Sequence, residues 1–421
     1  MNMHSKPQRT HAETALIDAF VERFSYLPGN EAVILRRDDA VERLKAGLPT
    51  RRVEAWHYTD LRRLLATVPM HDPAAGVRPL PALLEGSTVL PVLNGVASRA
   101  PRIEGVSVVP LEQKLTDGSV AAALVSGDAA DVIAPLNTAF VTDGWFLDIG
   151  EGVAVDGPIE LQNVQAGGQA HVRFPVRVGA GARATIVERQ SGSGDALVSS
   201  VSHMTVGEGA EITWVILQEQ PVGATHLGQF NAVLGRNAKL TLVVMNTGGK
   251  LVRQEIKVDA KGEGAVFNLR GVNLLTGDSH TDVTMVLDHS APDTTSSEII
   301  RNVVTGRARG VFQGQIRVDR LAQKTDAKMA CNTLLLSDEG EFSAKPELEI
   351  FADDVACGHG ATVAEIDRSH LFYLMARGVP EKPARGLLVK AFVAEVIEDL
   401  DDEALVAALE ARLEAWFAKN G

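Results

Sequence analysis

The chain has only two cysteines, Cys331 and Cys357, in 421 residues. A disulfide framework is thereby excluded as the source of stability, and a cytoplasmic setting is expected. Aromatic residues make up only 5%, which suits a core of stacked aliphatic side chains. Basic residues are outnumbered, 41 Lys and Arg against 54 Asp and Glu, for a net charge of −13. That balance opposes general nucleic-acid binding, which needs a basic footprint. No uninterrupted apolar run approaches the roughly 18 residues of a membrane-spanning helix. The start, MNMHSKPQRT, lacks the apolar stretch of a secretory signal. Neither a G-x-x-x-x-G-K-[ST] loop nor a G-x-G-x-x-G at a strand-to-helix junction occurs, so this chain is expected to bind no nucleotide and any nucleotide hydrolysis belongs to a partner.

What the chain does have is a repeat. IGEGVAVDG from Ile149, VGAGARATI from Val178, VGEGAEITW from Val206, LGRNAKLTL from Leu234 and KGEGAVFNL from Lys261 align, with a weaker copy, TGRARGVFQ, from Thr305. Their leading glycines, Gly150, Gly179, Gly207, Gly235, Gly262 and Gly306, are spaced by 29, 28, 28, 27 and then 44 residues. Runs such as HVRFPVRV (171–178) and RQEIKV (253–258) flank the corners and alternate apolar with polar residues, as half-buried strands do. Strand, glycine corner, strand and return loop make one coil of a parallel solenoid. The expected fold is mainly β: a two-faced, right-handed parallel β-helix of about 28 residues per coil, whose corner glycines permit positive φ. The 44-residue gap, with GDSHTDVTMVLDHSAPDTTSS (277–297) inside it, is read as an extra strand or protruding loop.

The flanks change period. Residues 1–140 read as a mainly helical cap, 141–366 as the β-helix and 367–421 as a helical domain. In the last, Leu387, Leu388, Ala391, Phe392, Val396, Ile397 and Leu400 form one apolar face, and Leu405, Leu409, Leu413 and Trp416 form that of a second helix. These helices either cap the last coil or dock a partner, or do both.

Both cysteines fall in 324–378, which contains Cys357-Gly-His359-Gly. Soft-metal chemistry, if present, belongs here. His359 between two glycines is an accessible borderline ligand for iron. Cys357 is two residues away, and in extended chain i and i+2 share a face. Cys331 lies 26 residues before Cys357, about one coil, a spacing that allows the two thiols to be neighbours on adjacent coils, but the expected reading of Cys331 is an inert buried thiol. His289 reads equally as a loop-stabilising residue, Asp353-Asp354 as a solvated turn, and Gly310, Phe312 and Gly314 as packing residues. Two sulfurs and one imidazole do not complete a cluster site, which commonly takes four protein ligands, so the rest are expected from a second chain.

AQKTDAK (322–328), LLLSDEGEFSAKPELEIFADDVACGHGATV (334–363), LFYLMARG (371–378), AFVAEVIEDL (391–400) and the amino-terminal GLPTRRVEAWHYTDL (47–61) together resemble the SufB/SufD family of iron–sulfur cluster assembly proteins. Length and the compact amino-terminal region point to its SufD branch. The resemblance implies a parallel β-helix flanked by helical domains and a non-catalytic subunit of a SufB–SufC–SufD complex. It implies that a SufB-like subunit pairs with the β-helix and that a SufC-like ATPase docks on the carboxy-terminal region, where Arg377, Gly378, Leu388, Phe392 and Val396 are the candidates. It also implies that His359 serves a transient iron–sulfur cluster or iron at the heteromer interface, with Cys357 and then Cys331 as further candidates. A reduced flavin would need a composite site. Alternatives are a homodimer acting as adaptor or iron store, a β-helix polysaccharide lyase, for which no basic groove is visible, and a hexapeptide acyltransferase, whose coil of about 18 residues is too short.

Overall fold

The computed structural model describes residues 8–420 apart from 73, 125, 126, 128 and 129. Helices α1 (His11–Arg23), α2 (Glu31–Lys45) and the single turn α3 (Leu61–Leu64) open the chain, followed by β1 (Thr88–Leu93), β2 (Val96–Ala97), β3 (Val106–Pro110), α4 (Leu111–Asp117) and α5 (Ile133–Phe140). Strands then succeed one another: β4 (Asp143–Ile149), β5 (Ile159–Val178), β6 (Arg183–Val206), β7 (Glu211–Glu219), β8 (Thr225–Leu234), β9 (Lys239–Asn246), β10 (Leu251–Ala260) and β11 (Val266–Leu275). The series continues with β12 (His280–His289), β13 (Thr295–Val304), β14 (Arg309–Val318), β15 (Asp326–Leu335), β16 (Glu341–Ile350) and β17 (Ala356–Ala364). Helices α6 (Arg368–Ala376), α7 (Glu381–Ile397) and α8 (Glu403–Asn420) close it.

The strands form a parallel β-solenoid of about eight turns. One face stacks the later parts of β5 and β6 with β8, β10, β12, β14 and β16. The other stacks their earlier parts with β7, β9, β11, β13, β15 and β17. Register partners on this second face, Glu211, Lys239, Val266, Thr295, Asp326 and Ala356, lie 27 to 31 residues apart. Alternate side chains of both faces point inward and merge into one aliphatic core, from Leu90 and Ile159 to Met329 and Cys331.

Two details of the repeat come out differently from the sequence reading. First, the 44-residue gap holds no insertion. It contains a whole regular coil, β12 and β13, whose corner is Ser290–Thr294 rather than a glycine corner, while Thr305–Ala308 turns at the opposite edge of the solenoid. Second, among the leading glycines only Gly306, at the opposite edge, has positive φ. At the other corners the residue two further on has it: Gly152, Gly181, Gly209, Gly264, and in their place Asn237, Asp293 and Lys324. Each is locked to the next coil by a backbone bond, such as Gly209 N–H to Arg236 O (2.8 Å) and Asp293 N–H to Gln323 O (2.9 Å). The leading glycine answers a different need, close approach of coils. A Cβ at Gly207 would lie 2.7 Å from Ala180 N.

Helices cover both outer faces. Leu16, Trp56 and Phe140 of the amino-terminal part pack on Leu197, Val201, Leu227 and Leu251. Val389, Val393, Val396 and Ile397 of α7, with Leu405, Leu409, Leu413 and Trp416 of α8, pack on Val187, Val215, Val243, Val272 and Val303. The α7 face is thus rotated from the one expected: Leu387 is 53% exposed and Ala391 is exposed, while Val389 and Val393 are buried. No helix among the described residues is long and apolar enough to cross a membrane.

Candidate functional site at the open end of the solenoid

The amino-terminal motif residues around Trp56 form an interdomain seat. Trp56 is fully buried, donates Nε1–H to Ala130 O (3.0 Å) and lies under the Arg253 guanidinium, 4.4 Å from ring to charge. Arg253 is held by Asp282 and Glu255, and Thr59 bonds both Asp282 and His280. These partners come from β10 and β12, far along the chain, and no local pattern marks them.

At the other end the solenoid stops without a cover. β16 registers with β14 and β17 with β15, and no described strand registers on their outer edges. Phe351 is 56% exposed, Val363 45% and Ile350 40%. Along β17, Cys357 registers with Ala327, His359 with Met329 and Ala361 with Cys331. Ala327, Met329 and Cys331 are all core residues, so Cys357 and His359 stand on the inward row of the last coil, where another coil would lie above them. They are about 7 Å apart along the strand. His359 is exposed and Cys357 half-buried against the core. Burial pushes the Cys357 thiol up, a backbone bond with Ala327 opposes this, and the carboxyl groups of Asp326 and Glu298 add to the rise. The resting group is a thiol, which becomes a ligand only when a metal or base takes its proton.

Cys331 is the buried thiol expected of it and not the neighbour of Cys357 that its spacing allowed. It sits four residues further along β15 than Ala327, the partner of Cys357, about 13 Å at strand rise. The coil from β15 to β17 takes 30 residues, Ala327 to Cys357, four more than the 26 that separate the two cysteines. Cys331 is fully buried, accepts a bond from Asn302 Nδ2 (3.3 Å), and burial pushes its pKa up to about 12. His289 is likewise a core residue at the end of β12, with Nδ1 2.8 Å from Thr294 Oγ1 and Nε2 3.2 Å from Ser296 Oγ. It ties a corner together. Asp354 pairs with Lys324 at the next corner. Gly310 and Gly314 make room for Phe342 and Met329. Among the described residues no three His, Cys, Asp or Glu side chains converge as a metal site.

The glycines around His359 differ from those of the corners. A Cβ on Gly358 or Gly360 would meet nothing within 4 Å, and neither has positive φ. This chain's own packing does not require them.

The docking candidates divide. Helix α6 buries none of its residues, and Phe372 is 73% exposed. Arg377 lies over the Tyr373 ring (5.0 Å), and Gly378 ends the helix at φ +89°. Leu388 and Phe392 are half-buried, the latter under Arg301 (5.4 Å). Val396 is buried against the solenoid and seats α7 instead of facing outward.

Residues 161–392 match the family described as SUF system FeS cluster assembly, SufBD core domain. With that match over more than half its length, the chain belongs to the SufBD family of iron–sulfur cluster assembly proteins. The iron–sulfur cluster assembly protein SufD of Escherichia coli is 28% identical over 386 residues, spanning 88% of this chain and 89% of its own length. SufD of Bacillus subtilis is 26% identical over 66% of this chain and 65% of its own. The chloroplastic protein ABCI7 of Arabidopsis thaliana is 31% identical over 64% and 60%. Within the family the chain is accordingly of the SufD type.

Proposed function

We propose that this protein is a non-catalytic scaffold subunit whose open solenoid end pairs with a SufB-like chain, and that His359 and Cys357 serve iron acquisition and a nascent iron–sulfur cluster, the cargo, at that junction. The observation that carries the reading is the uncovered last coil. Unpaired strand edges are normally blunted or paired, and here β16 and β17 present both edges with apolar side chains beside them. Glycines that nothing in this chain requires fit a partner backbone approaching His359 closely. An imidazole and a thiol on one row are two of the ligands a cluster needs, and the partner would supply the others. The exposed apolar surface of α6 with Leu387 suits docking of a SufC-like ATPase, which would hydrolyse ATP for a chain without a phosphate loop.

The test is the anaerobic iron and sulfide content of the complex co-expressed with SufB-like and SufC-like partners. His359→Ala should leave the complex assembled and lower its cluster content at least severalfold, and Cys357→Ala should do so less. Full cluster in both variants would reduce the chain to an architectural part. The same edge could also pair with a second copy; a homodimer that persists on gel filtration in the presence of the SufB-like chain would favour the adaptor or iron-store reading.

A further inference from the structure

One column of inward side chains runs the length of the second face in register: Ile186, Trp214, Leu242, Leu269, Glu298, Met329 and His359. It is apolar except at Glu298 and His359. Glu298 stands two coils below His359, about 10 Å by strand spacing, with only Met329 between them. It is fully buried, and neither carboxyl oxygen has a hydrogen-bond partner of normal geometry. The Ser296 hydroxyl, the Arg270 guanidinium and the residue's own backbone give partial relief, but Ser296 is also engaged with His289, and Arg270 with Asp399 and the Ser297 carbonyl.

The fold also shows how a structural carboxyl is housed. Glu188, buried in the same core near its opposite end, takes bonds from Gln190, Ser200, Ser202 and Trp214. Glu298 has no comparable set of hydrogen bonds. A buried polar group without partners costs stability, and rule-breaking of this kind concentrates at functional sites. Met329, unbranched and flexible, has its sulfur in the hollow left by Gly314 on the facing strand.

We propose that Glu298 is a further iron ligand of this protein: an internal carboxylate that receives a ferrous ion admitted at the His359 end, with Met329 as the side chain that swings aside. The inference rests on the reading that iron enters at His359. Carboxylate oxygen and imidazole nitrogen both suit ferrous iron, with the Cys357 thiolate as the softer neighbour. Binding forms an iron–oxygen bond and releases the carboxyl proton to solvent; the iron stays ferrous, so no oxidant is needed. Burial holds the free acid's pKa up at about 8, which keeps the group neutral in the core until a cation arrives.

The experiment is anaerobic equilibrium dialysis of the full chain against ferrous iron alone, with melting temperature recorded for each variant. Wild type should take up one ion, and Glu298→Gln and Glu298→Leu should each weaken uptake by roughly tenfold or more while melting at the same or a higher temperature. If the leucine variant does not fold, the glutamine variant still decides. Uptake by both variants equal to wild type, or no uptake by wild type, overturns the proposal. Loss of uptake in His359→Ala with none in Glu298→Gln also overturns it and leaves the assembly reading intact. Glu298-dependent uptake in a chain that fails to co-purify with SufB-like and SufC-like partners supports the internal ligand and sinks the assembly reading instead.

Discussion

At the scale of single residues, the core of this solenoid carries titratable groups held away from their ordinary ionisation, and the pH dependence of stability should report them. Burial lowers His226 and His289 from 6.5 to about 4. The unfolded chain therefore binds more protons between those values, and stability should fall as pH drops from 6.5, with the loss levelling off below about 4. Glu298 acts in the opposite sense. Its folded pKa of about 8 stands above 4.5, so the folded chain binds the extra proton, and stability should fall as pH rises from 4.5 to 8. Urea unfolding across pH 4 to 9 should show both limbs. Glu298→Gln should flatten the upper one and stabilise the protein at pH 8 by on the order of 2 kcal/mol. An unchanged upper limb would mean that the Glu298 carboxyl is hydrated in the folded protein.

At the scale of the element, one residue type does three jobs. The leading glycine of a corner allows one coil to lie on the next, the glycine two positions on turns the chain through the left-handed region, and Gly358 and Gly360 do neither. Gly207→Ala should push apart the backbone at Ala180 and lower stability by about 1–3 kcal/mol, seen as a lower melting temperature. Gly358→Ala should leave the melting temperature of the isolated chain unchanged and weaken capture of the SufB-like partner. Equal effects of the two substitutions on melting would mean that β17 is packed more tightly than its open surroundings indicate. The strand faces show the same economy. Asn246, Asn273 and Asn302 stack in register and bond from one coil to the next (2.7 and 2.8 Å), so a polar column is linked along the axis of the core, with Asn246 Oδ1 at its end left without a partner.

At the scale of the whole molecule, the helices fall into those that close the solenoid and those that remain uncovered. Val396 lies at a helix–sheet contact, whereas Phe372 faces solvent on a helix with no buried residue. Phe372→Asp should therefore leave the melting temperature of the chain within experimental error and release a SufC-like ATPase in co-purification. Val396→Asp should lower the melting temperature by several degrees, because a charge would enter an apolar contact. Retention of the ATPase by Phe372→Asp would move the docking surface away from α6. The uncovered strands β16 and β17 lie at one end of the molecule and α6 follows them directly in the chain, so the two proposed partners would meet neighbouring surfaces.

The sequence alone determined the parallel solenoid, its period, the helical flanks and the segment holding His359 and Cys357, because each is written in local terms: a repeat length, a glycine rhythm, a change from period two to about 3.6. The same locality explains the misreadings. The coil of β12 and β13 was hidden because Asp293 takes the left-handed position that glycine takes elsewhere, and the outward turn of Leu387 was hidden because several apolar residues in α7 permit more than one buried face. Only the tertiary structure decided what depends on register between distant strands. It set Cys331 below Ala361 instead of beside Cys357, placed Arg253 and Asp282 around Trp56 and Thr59, and put Glu298 in one column with His359, since corners of unequal length make the stacking of coils a property of the whole fold.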